Sequence, residues 1–277
     1  MKSLKILFFL LLLIQSISFA QTNLEIFPSN LLIKPFTANT LKPKLGSEFQ
    51  LGKNELVLNI GGSSEIIHFN RKDNSTFSIG AEMFTFTRLR GETNFHFPVD
   101  AIDYLFGFTF GYKKKCLINE FGARLRVSHI SAHFVDGHFD PGKNEWKDGR
   151  NPKVYSREFF ELMPFYKINN LRMYLGLTYI FSIDPTDIGQ DQYQIGFDYF
   201  ATNLLSENLT PYIAYDFRLV NIYSYSGNNN IEAGIKYGYA DGKGMSLYLK
   251  YFSGYNIHGE YFDVKEKYLT VGINFDL

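Results

Sequence analysis

Along the last stretch of the chain, Leu269, Val271, Ile273, Phe275 and Leu277 alternate with Tyr268, Thr270, Gly272, Asn274 and Asp276. A period of two puts every apolar residue on one face of a strand. The same alternation, interrupted by polar breaks, predicts twelve strands: Lys44 to Leu51, Glu55 to Phe69, Ser75 to Arg88, Asp100 to Tyr112, Cys116 to Phe134, Val154 to Lys167, Leu171 to Ile183, Gln192 to Leu204, Leu209 to Ser224, Ile231 to Ala240, Gly244 to Ile257 and Glu266 to Leu277. A closing strand of this kind is expected to pair with the first and leave no free edge. The predicted fold class is therefore all-β: a closed antiparallel transmembrane β-barrel of about twelve strands. A soluble sandwich ending on an edge strand is the competing architecture.

The breaks carry an independent signal, because membrane barrels have short turns at the periplasmic end and longer loops outside. With both termini inside, the turns are Arg71 to Asn74, Lys113 to Lys115, Asn169 to Asn170, Leu205 to Asn208 and Asp241 to Lys243. The outer loops include Leu89 to Val99, Val135 to Lys153, Asp184 to Asp191 and His258 to Lys265, and the first outer loop, Gly52 to Asn54, breaks the alternation of short and long. Gly61-Gly62 falls inside a strand and reads as a bend in the wall, since no helix follows that could make it a phosphate loop. Gly254 to Phe262 reads as an ordinary hairpin loop, with a loop folded over the barrel mouth as the alternative.

Residues 1–20 carry Lys2 and Lys5, an apolar run from Ile6 to Ile14, and Ser18-Phe19-Ala20, the pattern of a secretory signal peptide cut after Ala20. Residues 21–43, with Pro28, Pro35 and Pro43, read as a periplasmic arm or plug, and residues 44–277 as the barrel. The expected address is the outer membrane of a double-membraned bacterium, after removal of the signal peptide. Phe 28, Tyr 19 and Trp 1 make the chain 17% aromatic, which suits interfacial girdles. Lys+Arg 28 balance Asp+Glu 28, and no segment forms a basic nucleic-acid face. The expected partners are outer-membrane lipids, the barrel-assembly machinery and a small-molecule or lipid ligand, with no nucleic acid and no cofactor. Cys116, the lone cysteine, reads as a small apolar filler.

Candidate chemistry gathers at one place. His129, Ser131 and His133 recur at period two and so share a face of one strand. A histidine beside a serine is the minimum for taking the proton of a weak hydroxyl nucleophile. Glu158 and Glu161, on the next strand, are candidates to orient an imidazole. Arg124, Arg126, His133, Asp136 and Arg157 are candidate ligand-binding residues. An unbroken strand puts the cluster on the face of Leu125 and Val127, toward lipid. A bulge near Ser128 would turn it to the lumen with Arg124 and Arg126, and this is the expectation, because it keeps every charge inside. Arg124, Arg126, Arg157 and Glu161 would then form one paired lumenal network. His133, Asp136, His138 and Asp140 have irregular spacing and read as solvated turn residues rather than metal ligands.

His129-Ile-Ser131, followed by a loop bearing arginine and aspartate and then Ser156-Arg157, resembles the His-x-Ser element of outer-membrane phospholipase A, a twelve-stranded barrel that hydrolyses lipid esters. The resemblance implies His129 as general base and Ser131 as nucleophile. The third member of that family's site, an Asn, falls near Phe160, and its Asn-Gly after the serine is Ala132-His133 here. A longer similarity, carried by Lys42-Pro-Lys-Leu-Gly-Ser-Glu-Phe49, Arg124 to His133, Tyr155-Ser-Arg-Glu158 and Tyr251 to Phe262, is to a bacterial family of outer-membrane barrel proteins of unknown function. It implies a barrel and an address, and no activity. The first functional reading is a structural or ligand-binding cluster at the outer rim, with a serine esterase acting on outer-leaflet lipid as the alternative.

Overall fold

The computed structural model describes residues 23–276; the expected signal peptide, Gln21, Thr22 and Leu277 lie outside the described residues. Fifteen strands occur in chain order: β1 (Asn23–Ile26), β2 (Gly46–Gln50), β3 (Glu55–Asn70), β4 (Ser75–Arg90), β5 (Val99–Cys116), β6 (Asn119–Phe134), β7 (Phe139–Asp140), β8 (Glu145–Trp146), β9 (Ser156–Ile168), β10 (Leu171–Asp184), β11 (Asp191–Phe200), β12 (Leu209–Ile222), β13 (Ser224–Gly238), β14 (Gly244–Tyr255) and β15 (Lys265–Asp276). Each barrel strand pairs antiparallel with its chain neighbours, β6 pairs with β9 across the long loop, and β15 pairs with β2, closing a twelve-stranded ring. The expected closed barrel is borne out. All twelve expected strands are present; most ends move by a few residues, and the strand expected from Ile231 begins at Ser224.

The wall is inside out relative to a soluble protein. Facing outward are Phe106, Phe108, Leu175, Leu177, Tyr179, Ile195, Leu247 and Leu249, each about half exposed, while Arg126 and Glu161 inside are 0% exposed. Apolar area turned outward over a whole closed wall is stable against hydrocarbon, not water.

The ring has one irregular position. β3 pairs along its full length with β4, but its other edge meets two separate pieces of chain: Leu56 to Asn59 pair with β2, and Ile67 to Asn70 pair with β1. Both pieces run in the same direction, so β1 and β2 are one barrel strand interrupted by residues 27–45. Those residues run through the lumen, touching strands on every side of it. Arg172 on β10 donates to Lys34 O and Pro35 O, Thr37 N donates to Asp198 Oδ1 on β11, Arg126 on β6 donates to Leu41 O, and Asn230 on β13 donates to Ala38 O. Phe36, fully buried, packs with Phe165 and Tyr174.

At the other end of the barrel the segment after β14 is not an ordinary hairpin loop. It folds inward, with His258 Nδ1 3.1 Å from Asp103 Oδ2 and Gly259 N donating to Asp103 Oδ1 at 2.8 Å. Glu260 Oε1 and Oε2 accept from Phe134 N at 3.0 Å and Lys153 N at 2.8 Å, which ties this loop to the two ends of the long connection between β6 and β9. His138, expected as a solvated turn residue, is fully buried and stacks on Phe134 at 4.2 Å. Cys116, expected as a filler, is exposed at the turn end.

Candidate functional site

β6 decides the site because its side chains divide strictly by parity. Gly122, Arg124, Arg126, Ser128, Ile130 and Ala132 are buried, and Leu125, Val127, His129, Ser131 and His133 lie on the other face. The expected bulge near Ser128 is absent. Pairing with β5 runs unbroken from Asn119 to Phe134, and pairing with β9 from Asn119 to Ser131. A ladder held on both sides has no room for an extra residue, since a bulge would have to break register with two neighbours at once. The His/Ser/His cluster therefore faces outward, at the long-loop end of the wall.

Register then supplies the third residue. His129 pairs with Glu158 on β9, and His129 Nδ1 lies 2.7 Å from Glu158 Oε1. An ionised carboxylate can only accept, so this contact puts the imidazole proton on Nδ1 and leaves the Nε2 lone pair free. Glu158 in turn pairs with Ser182 on β10, whose hydroxyl lies beside the same carboxylate. Phe160, the position suggested by the resemblance, faces Val127 instead. Ser131 Oγ is 3.3 Å from His133 Nε2, so in this arrangement its bonded imidazole is His133 and not His129. Aromatic rings on β5 flank both histidines: Phe106 stands 5.0 Å from His129 and Tyr104 5.8 Å from His133, centroid to centroid.

Glu161 takes no part in this group. Three residues beyond Glu158, it points to the lumen, where its carboxylate meets Arg124 at 2.8 Å, Arg126 at 3.5 Å and Arg218 at 3.4 Å. Arg126 Nε also pairs with Glu82 at 2.6 Å. The expected lumenal network is thus real for Arg124, Arg126 and Glu161, with Glu82 and Arg218 added. Arg157 is not joined to it; its guanidinium stacks on Tyr155 at 4.3 Å, nearer the loop end. Arg124 and Arg126 are committed to carboxylates, Arg126 also to Leu41 O, so neither is free for an external ligand. The side chain of Asp136 lies outside the described residues. Asp140 Oδ1 accepts from Gly142 N and Lys143 N within its own turn. Among the described residues no group of three or more His, Cys, Asp or Glu side chains is arranged to hold a metal.

What the sequence could not reveal is the register that sets Glu158, among the outward residues of β9, opposite His129, although Glu158 and Glu161 could have been told apart. Parity alone would have separated them, since Glu158 shares a face with Phe160 and Leu162, and Glu161 with Phe159 and Met163.

The fold is similar to outer-membrane phospholipase A from Escherichia coli, at 15% identity and a TM-score of 0.53 over 88% of this chain and 93% of that one. It is likewise similar to the outer membrane phospholipase dimer with bound calcium from Salmonella typhi, at 13% identity and a TM-score of 0.54 over 89% and 94% of the two chains. At such identities the likeness is one of fold. No curated protein matches the sequence. Residues 24–277 match the family described as "Protein of unknown function (DUF1207)", and the chain belongs to that family.

Proposed function

We propose that the protein is a serine ester hydrolase of the outer membrane that deacylates lipid at the outer leaflet. The observation that carries this is the His129–Glu158 hydrogen bond on the outward face, two residues along the strand from Ser131. A polar group on a lipid-facing wall is destabilising at depth, so three in a row with an oriented imidazole mark a working surface. Only a substrate lying in the membrane, or at its edge, reaches that face.

The chemistry follows from the geometry. Rotation of Ser131 about χ1 moves its hydroxyl from His133 to His129, whose Nδ1–H is held by Glu158. His129 Nε2 takes the hydroxyl proton as Oγ attacks the ester carbonyl carbon. His133 Nε2, 3.3 Å from Oγ before reaction, is close enough to donate to the oxygen that gains charge. The proton on His129 then passes to the departing alcohol, leaving an acyl-serine. Water, deprotonated by His129, releases the fatty acid. Glu158 keeps the tautomer fixed throughout.

Purified protein in mixed micelles of phospholipid and detergent should release free fatty acid. Ser131→Ala should abolish release, and Glu158→Gln should lower it by about a thousandfold or more, the effect of losing the correct tautomer. Release that survives Ser131→Ala ends the proposal. The Ser131–His133 contact favours a second reading, in which the cluster docks a lipid head group without chemistry. Binding of phospholipid with no release by the wild-type protein would select it.

A further inference from the structure

Between the stretches that pair with β2 and β1, residues Ile60 to Glu65 of β3 have no strand partner on that side among the described residues. Six residues at about 3.3 Å each leave about 20 Å of open edge in the wall. Side chains do little to cover it, since Gly61, Gly62, Ser63 and Ser64 occupy its centre. The chain leaves the wall at Pro28 and rejoins it after Pro43, and proline strands no backbone donor at either point.

The window communicates with a cavity of about 550 Å³ at the turn end of the lumen. Its lining includes Gly61, Ser63 and Glu65, which face the lumen, and also Gly62 and Ser64, which face outward. Because Ile60 to Glu65 have no strand partner on that side among the described residues, this cavity lies against the open edge of the wall. Irregular backbone within a membrane persists where it lines a water-filled cavity, and this cavity meets that condition for the unpaired edge. The lining carries nine basic side chains against six acidic ones. Most of these cations have a carboxylate within reach: Lys42 with Glu232, Lys167 with Asp241, Arg172 with Asp198 and Lys236 with Asp276. Among the described residues Lys34 has no carboxylate within 4.0 Å, and it is half-buried on the lumenal segment. Burial and the charge of Lys236 hold its ammonium below the ordinary lysine range against the opposing charges of Asp276 and Asp241, and an incoming anion would favour the charged form further. Glu65, with Oε2 unpaired, is the one acidic group at the window edge that opposes this, and Leu32 N donates to its other oxygen.

We propose that this cavity binds a long-chain fatty acid, with the carboxylate at Lys34 and the acyl chain passing out through the window at Gly61 to Ser64 into the surrounding hydrocarbon. The volume suits a head group and the first part of a chain, and the breach accounts for the remainder. A soluble anion would use the charge and have no need of the window. This site is separate from the outward cluster on β6 and stands or falls without it.

The test is photolabelling of the folded full-length barrel in detergent with a palmitic-acid analogue that carries a mid-chain diazirine. Label should concentrate on peptides containing residues 60–66 and on the end of β15, and palmitate should compete while acetate and inorganic phosphate do not. Lys34→Gln should lower labelling about tenfold, the effect of about 1.4 kcal/mol. Gly62→Phe, where an added Cβ meets nothing within 4 Å, should lower it by obstructing the window with the charge intact. Heat-modifiable gel migration confirms that each variant is folded. Label spread evenly around the wall, or unchanged in both folded variants, overturns the proposal. Competition by phosphate as strong as by palmitate also overturns it, in favour of a soluble-anion site.

Discussion

Glu158 and Glu161 stand three positions apart on β9 and face opposite sides of the wall, so replacing each by glutamine separates chemistry from stability. In the lumen, Glu161 is the carboxylate of three buried guanidinium groups, at 2.8 Å from Arg124, 3.5 Å from Arg126 and 3.4 Å from Arg218. Arg126 retains Glu82 after the change. Arg124 is left with Met163 Sδ, and Arg218 with the amide oxygens of Asn39 and Gln194. Removing one partner from a buried ion pair costs about 3–5 kcal/mol, because the remaining charge stays desolvated. Glu161→Gln should lose stability on that scale. Glu158 and His129 are both partly exposed, and such pairs contribute about 0–1 kcal/mol. Glu158→Gln should therefore unfold in urea near the wild-type midpoint and yet lose lipid hydrolysis. Unfolding is followed by Trp146 fluorescence and by gel migration, and hydrolysis by released fatty acid. Equal destabilisation by the two substitutions would refute the opposed-face assignment, and full activity in Glu158→Gln would refute its role beside His129.

Three further outcomes follow from other parts of the molecule. At the loop end, burial pushes the Asp263 carboxyl up, but the hydrogen bond from Lys153 and the charge of Arg150 outweigh it and hold the group below its ordinary value. A depressed carboxylate contributes stability above its unfolded pKa of about 3.9 and loses it as pH falls through the lower folded value; pepsin cleavage near residues 256–264 should therefore rise steeply below that pH and depend less on pH in Asp263→Asn. Phe36 is fully buried, 4.3 Å from Tyr174 and beneath Arg172 at 4.5 Å, so Phe36→Ala should cost about 3–5 kcal/mol in urea unfolding. Replacement of residues 28–43 by a Gly-Ser linker long enough to join β1 to β2 along the wall removes the chain that crosses the lumen and should raise single-channel conductance in planar bilayers; conductance equal to wild type would show that the interior is sealed by the wall side chains alone.

The strands were legible because the wall imposes one rule along most of its height, apolar out and polar in, and β15 obeys that rule from Tyr268 to Asp276. Where the rule weakens, so did the reading. Tyr225 to Asn230 are Ser-, Gly- and Asn-rich and read as a loop, yet they belong to β13, whose Asn228 and Asn230 hold Tyr255 O and Ala38 O. Lys113 to Lys115 read as a turn, but β5 carries them on as strand, with Lys115 opposite Glu120. The facing of the cluster was also legible in part. Leu125 and Val127 gave the correct parity for His129, and the preference for hiding charge overrode it; a functional polar group on the lipid face is where local rules are expected to fail. Glu158 opposite His129 was beyond reach, because that register depends on how the long loop from Val135 to Tyr155 closes onto β9.

The interruption between β1 and β2 has a mechanical corollary. The lumenal segment passes through the wall with a paired strand above it and another below, so it cannot come out while both are in place. The two restraints are unequal: β2 is gripped by β15 on one side and β3 on the other, whereas among the described residues β1 holds only β3, through four residue pairs and the Phe27 N to Ile66 O bond. β1 is thus the latch and β2 the hinge, and undoing one short ladder frees the stopper without unzipping the cylinder.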